Sequence, residues 1–113
     1  MDRFKEGVFD FRDRILLMAG REITVQRAGA DLFSDLALIA STDFDSISDK
    51  GIKTTIRVTD FIVPNRHDWI PARGDRVVFE NQAYIVRQIG AECFRYDDAE
   101  EVMLRVHAQK EPA

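Results

Sequence analysis

Between Pro71 and Ile89 the chain reads PARGDRVVFENQAYIVRQI, and this stretch limits the possible folds more than any other. Arg73-Gly74-Asp75 is a turn, because glycine takes the positive φ that a tight corner needs. Two runs of period two follow. In Arg76 to Glu80, Val77 and Phe79 fall on one face. In Ala83 to Ile89, either Tyr84, Val86 and Gln88 or Ile85 and Ile89 supply the partner face, so a hairpin about Asn81-Gln82 is expected. Both of its faces carry apolar residues, which places it centrally in a sheet or wrapped in a barrel.

The rest of the chain supplies strands to enclose that hairpin, preceded by one helix. Phe4, Val8, Phe11, Ile15 and Met18 recur at spacings of four and three, which lines them on one face of a helix over about 3–19. Phe9, Leu16 and Ala19 widen the stripe, Arg12 and Arg14 sit on the wet side, and Gly20 ends the helix. The period then changes to two. Ile23 to Gln26 is a first strand, Arg27 to Ala30 a turn, and Phe33 to Ala40 a second strand. Ser41 to Gly51, with Asp43, Asp45 and Asp49 against Lys50, reads as a long solvated loop that a partner orders. A calcium loop beginning at Asp43 fails, because Ser48 stands where glycine is required and Thr54 where glutamate is.

Ile52 to Phe61 is the cleanest strand, with Ile52, Thr54, Ile56 and Val58 on a core face and a bulge expected near Asp60. Pro64 stops the ladder. Asn65 to Arg73 follows without period and carries Arg66, His67, Trp69 and Ile70; Trp69 either folds back as a lid on the barrel end or anchors an interface. Asp97, Asp98, Glu100 and Glu101 read as a solvated turn. Val102, Leu104 and Val106 point inward from a last strand, and 109–113 is a loose tail. The fold expected is mainly β: a small antiparallel β-barrel or sandwich of about six strands with one amino-terminal helix, in one domain over 1–113.

Several functions are disfavoured by composition. The net charge is −4, and the sixteen Lys and Arg never form a run of three, unlike the basic face of a duplex-binding protein. Cys93 alone can build neither a disulfide nor a zinc site. His67 lies beside Asp68 with no nucleophile in a recognisable setting, and His107 looks isolated, so neither chemistry nor a cofactor is expected. Interspersed acids and bases at the amino terminus, without an apolar run long enough to span a bilayer, suit an intracellular protein. The competing class is a barrel of the OB (oligonucleotide/oligosaccharide-binding) type that binds single-stranded nucleic acid or a small ligand. Its surface would be built from Arg57, Arg76, Arg87 and Arg105 with Tyr84 and Phe94.

The helix ending MAG, the strand ITVQR, the acidic loop, the strand leading to FIVP and then Pro71-x-x-Gly74-Asp75-x-Val77 with Tyr84-x-Val86 form one pattern over about 4–108. It resembles the small head-tail joining proteins of long-tailed bacteriophages and prophages, of the tail-attachment, head-completion and stopper types. The resemblance implies a β-barrel, often monomeric when free, that joins a homo-oligomeric ring beneath the head portal and above the tail. DNA would pass nearby without specific binding. Carried onto this chain, it implies contacts through the helix face (Phe4, Val8, Phe11), the 41–51 loop (Asp43, Phe44, Asp45) and the 64–73 loop (Arg66, His67, Trp69, Ile70). It further implies residence in the host cytoplasm during assembly and in the virion afterwards, with no membrane partner.

Overall fold

Alternation of apolar and polar residues, broken by positive-φ turns, builds nearly everything in the computed structural model, which describes residues 12–112. A short helix, α1 (12–19), leads into seven strands. These are β1 (Arg21–Arg27), β2 (Ala30–Ile47), β3 (Lys53–Pro64), β4 (Arg76–Phe79), β5 (Gln82–Val86), β6 (Phe94–Tyr96) and β7 (Met103–Lys110). All pairings are antiparallel, in the order β3-β2-β1-β4-β5-β7-β6, and β3 also pairs with β7. That extra pairing closes six strands into a barrel and leaves β6 as an added strand along β7. Closure removes most exposed sheet edges, the usual liability of a small β-protein.

The interior comes from one parity of each strand. Ile23 and Val25 of β1, Phe61 and Val63 of β3, and Val106 and Ala108 of β7 are all essentially inaccessible. Phe61 is the largest of them, and Phe79 and Tyr84 meet its ring edge-on at 6.2 and 5.2 Å. Burying each aliphatic side chain of this kind contributes about 1.5–3 kcal/mol. Outside the barrel, α1 covers an apolar cleft lined by Arg12, Ile15, Leu38, Ile62, Val102 and Met103.

The largest departure from the sequence expectation is in β2 and β3. Residues 41–47, expected to be loop, continue β2 to a length of 18 residues, and an unbroken register runs from Leu38 opposite Ile62 to Ile47 opposite Lys53. No bulge occurs at Asp60. β1 covers β2 only up to Ala37, and β7 joins β3 only from Thr59 on, so Asp43–Ile47 and Lys53–Arg57 form a two-stranded arm. Along it Ile52 and Ile56 are exposed, not core, and only Val58 at its root is buried.

Other corrections are smaller. The 76–86 hairpin turns at Glu80-Asn81, both with positive φ, one residue earlier than expected. β6 and the extension of β7 to Lys110 were not anticipated; Gln109 and Lys110 pair with Ile85 and Tyr84 and do not belong to a loose tail. In α1, Leu16 is the buried contact and Met18 is 87 % exposed, while the Arg12 side chain is largely covered. Gly20 is needed for space and has no positive φ: a Cβ there would lie 2.3 Å from the Leu16 carbonyl oxygen. The expectations for Phe4, Val8 and Phe11 lie outside the described residues.

Candidate assembly surface

Two surfaces carry the remaining candidate residues: the end of the barrel closed by 65–73, and the β2–β3 arm. The barrel end is organised by two aspartates, Asp75, which is buried, and Asp35, which is partly buried. Asp75, 3 % exposed, accepts from Arg27 Nε and Nη2 at 2.8 Å each, from Trp69 Nε1 at 3.0 Å and from the Ala72 amide at 3.0 Å. Its own amide donates to the Ala72 carbonyl, and Gly74, at φ 95°, donates to Val86. The Gly-Asp corner therefore does more than turn the chain. Its carboxylate gathers a strand, a loop and a tryptophan. Burial works against the Asp75 charge, but the Arg27 guanidinium, the Ala72 amide and the Trp69 N–H outweigh it and lower the pKa.

Asp35 of β2 does the same on the other side. It accepts from Arg66 at 2.7 and 2.9 Å, pairs with His67 Nε2 at 2.6 Å and accepts its neighbour Leu36's amide at 2.7 Å. Burial opposes ionisation here too, yet these donors bring the carboxyl down to about 2. Arg66 also reaches Asp13 of α1 at 3.3 Å, so one guanidinium ties helix, strand and loop together. The His67 ring stacks on Phe33 at 3.9 Å, and Trp69 meets Phe33 edge-on at 5.5 Å.

Of the two readings of Trp69, the folded-back one describes its position: at 6 % exposure it belongs to the core cluster. What the loop presents outward is Ile70, 73 % exposed, with Leu32 nearby at the same shallow cleft. Arg66 and His67 are held in place by Asp35 and are only partly available at the surface.

On the arm, charges pair across the strands. Asp43 accepts from Arg57 at 2.9 Å, while Asp45 accepts from Thr55 at 2.8 Å and pairs with Lys53 at 3.3 Å. Such exposed cross-strand pairs contribute about 0.2–1 kcal/mol each. Ile47 and Ile52 flank the Ser48–Gly51 turn at 74 % and 61 % exposure. Phe44 lies at the root of the arm, where its ring meets the buried His107 edge-on at 5.2 Å. Of the three surfaces expected from the sequence, the 41–51 and 64–73 segments lie apart within the described residues, and Ile47 and Ile52, the latter expected in the core, were not among the candidates.

The OB-type surface is not assembled as a free basic face. Arg57 is paired with Asp43, Arg76 with Glu111, and Arg105 with Asp60 and Asp97, while Tyr84 packs on Phe61. Among the described residues no group of His, Cys, Asp and Glu could hold a metal ion, and no helix is long and apolar enough to cross a membrane.

The described residues thus form a closed six-stranded antiparallel barrel with a projecting ribbon and apolar residues at its tip. The family model for phage head-tail joining proteins matches residues 1–112, and the chain belongs to that family. Comparison with curated proteins finds no match. Membership makes the protein a structural component of a phage, acting where head and tail components meet.

Proposed function

We infer that the protein joins the DNA-filled head to the tail by assembling as a homo-oligomeric ring between the portal and the first tail component. The observation that carries this reading is the β2–β3 arm. Among the described residues its outer half has no partner strand on either edge, and it displays Ile47, Ile52 and Ile56. A two-stranded ribbon standing alone is marginally stable in water, and its open edges and apolar tip are what a neighbouring subunit or ring would cover. Ile70 adds a second apolar point at the barrel end. The role is contact without catalysis. A net charge of −4 suits a wall past which a polyanion moves without being gripped. Assembly takes place in the host cytoplasm, the free subunit is a monomer, and the joined protein resides at the head-tail junction.

The test is to add the purified protein to DNA-filled heads made without it, together with free tails, and to count joined particles by electron microscopy. Joining that depends on the added protein supports the reading. Heads and tails that join equally well without it overturn the reading.

A further inference from the structure

His107 has no accessible surface and stands on the outer face of β7 between two carboxylates. Its Nδ1 lies 2.8 Å from Asp60 Oδ1 on β3, and its Nε2 lies 2.8 Å from Glu92 Oε2 in the connection between β5 and β6. An ionised carboxylate only accepts, so with both carboxylates ionised this geometry is satisfied in full by the doubly protonated, positively charged ring. The other charged groups facing the cluster are Arg105, whose Nη1 donates to Asp60 Oδ2 at 2.7 Å, and Asp97, which accepts from Arg105 Nε at 3.0 Å. From β2, the Thr42 hydroxyl donates to Asp60 and the Phe44 ring packs edge-on against the imidazole. The backbone closes the same arrangement: the His107 amide donates to the Cys93 carbonyl, and Ile89 and Glu92 form a bridge with 2.8 and 3.2 Å hydrogen bonds.

One imidazolium therefore joins three parts of the molecule that are remote in sequence: the root of the arm, β7 and the 89–92 turn. We propose that His107 is a proton-dependent clamp, which holds the 89–92 turn and the root of the β2–β3 arm together while protonated and releases Glu92 when the proton leaves. A neutral ring has one N–H to share between two carboxylates. Asp60 keeps it, being fully buried and also served by Arg105 and Thr42, whereas the Glu92 side chain, 38 % exposed, turns to water.

The sign follows from linkage. The Asp60 hydrogen bond, against burial and with Glu92 assisting, raises the His107 pKa above its ordinary value of about 6.5. The clamp is thus fully engaged below about pH 6.5 and is lost as pH rises through the raised value. The experiment is hydrogen exchange of the full chain followed by NMR between pH 6 and 9, corrected for intrinsic rates, alongside titration of the His107 ring. Protection of the Ile89 and Glu92 amides should fall as pH rises through the raised pKa, by no more than about tenfold per pH unit. Glu92→Gln removes a charge at a partly exposed position, so the fold survives and the ring should titrate at lower pH, with the loss of protection moving down in step. A ring that titrates near 6.5 in the unaltered protein, protection that stays constant across the range, or a Glu92→Gln midpoint that does not move would each overturn the proposal.

Discussion

At the scale of single residues, the most consequential side chain is Asp75. It accepts four hydrogen bonds from two segments, β1 and the 65–73 loop, so deleting it leaves the Trp69 N–H buried without a partner and leaves the Arg27 guanidinium only its bond to the Ile70 carbonyl. Asp75→Ala should cost about 2–3 kcal/mol, toward the lower end for a broken buried pair because Arg27 is half exposed. Urea unfolding followed by the fluorescence of Trp69, the one tryptophan, reads this directly. Asp35 makes a second prediction. Its folded pKa of about 2 lies below the ordinary carboxylate value near 3.9, so its contribution is complete above about pH 4 and is lost as pH falls toward 2. Asp35→Asn should flatten the acid limb of a stability-versus-pH curve between those values, while near pH 7 the variant is less stable than the parent. These roles were only half legible in the chain. Gly74-Asp75 announced a corner, because glycine's backbone freedom is local. What Asp75 accepts was hidden, since Arg27 lies 48 residues away. His107 looked isolated for the same reason: Asp60 and Glu92 are brought to it by strand pairing.

At the scale of elements, strands were readable where apolar and polar residues alternate, as in β1, β3 and β7, and unreadable where they do not, as in the outer half of β2. Ile23 and Val25, or Leu104 and Val106, alternate because water lies on one side and the core on the other. In the arm beyond Phe44 both faces are wet, so nothing forces an apolar period on Asp45 and Ser46, and the segment passes for loop. Cross-strand ion pairs hold it instead, and those need the partner strand to be known. β6, three residues long, is too short to show a period at all. The β1–β2 turn permits a clean test of local backbone chemistry. Ala28 sits at φ 51° and Gly29 at φ 82°, the geometry of a two-residue hairpin loop in which Asn-Gly is favoured. Ala28 is exposed, so Ala28→Asn should stabilise the protein by about 0.5–1 kcal/mol, measured as a rise in Tm.

At the scale of the whole molecule, the barrel and the arm divide the work. Arg66, Asp35 and Asp75 pin the 65–73 loop to the barrel, while the arm carries open edges and the exposed Ile47 and Ile52. The account therefore predicts that stability and joining separate on mutation. Ile47 and Ile52 are 74 % and 61 % exposed, so the double variant Ile47→Asp, Ile52→Asp should unfold within about 0.5 kcal/mol of the parent. The barrel should tolerate it, and the interface should not. The decisive measurement is the yield of joined particles, counted by electron microscopy, when this variant replaces the parent protein in a mixture of DNA-filled heads and tails. A yield lower by about tenfold or more, with an unchanged unfolding midpoint, is the predicted result for residues at the centre of a contact. A yield equal to that of the parent protein would contradict the assignment of the arm as the joining surface.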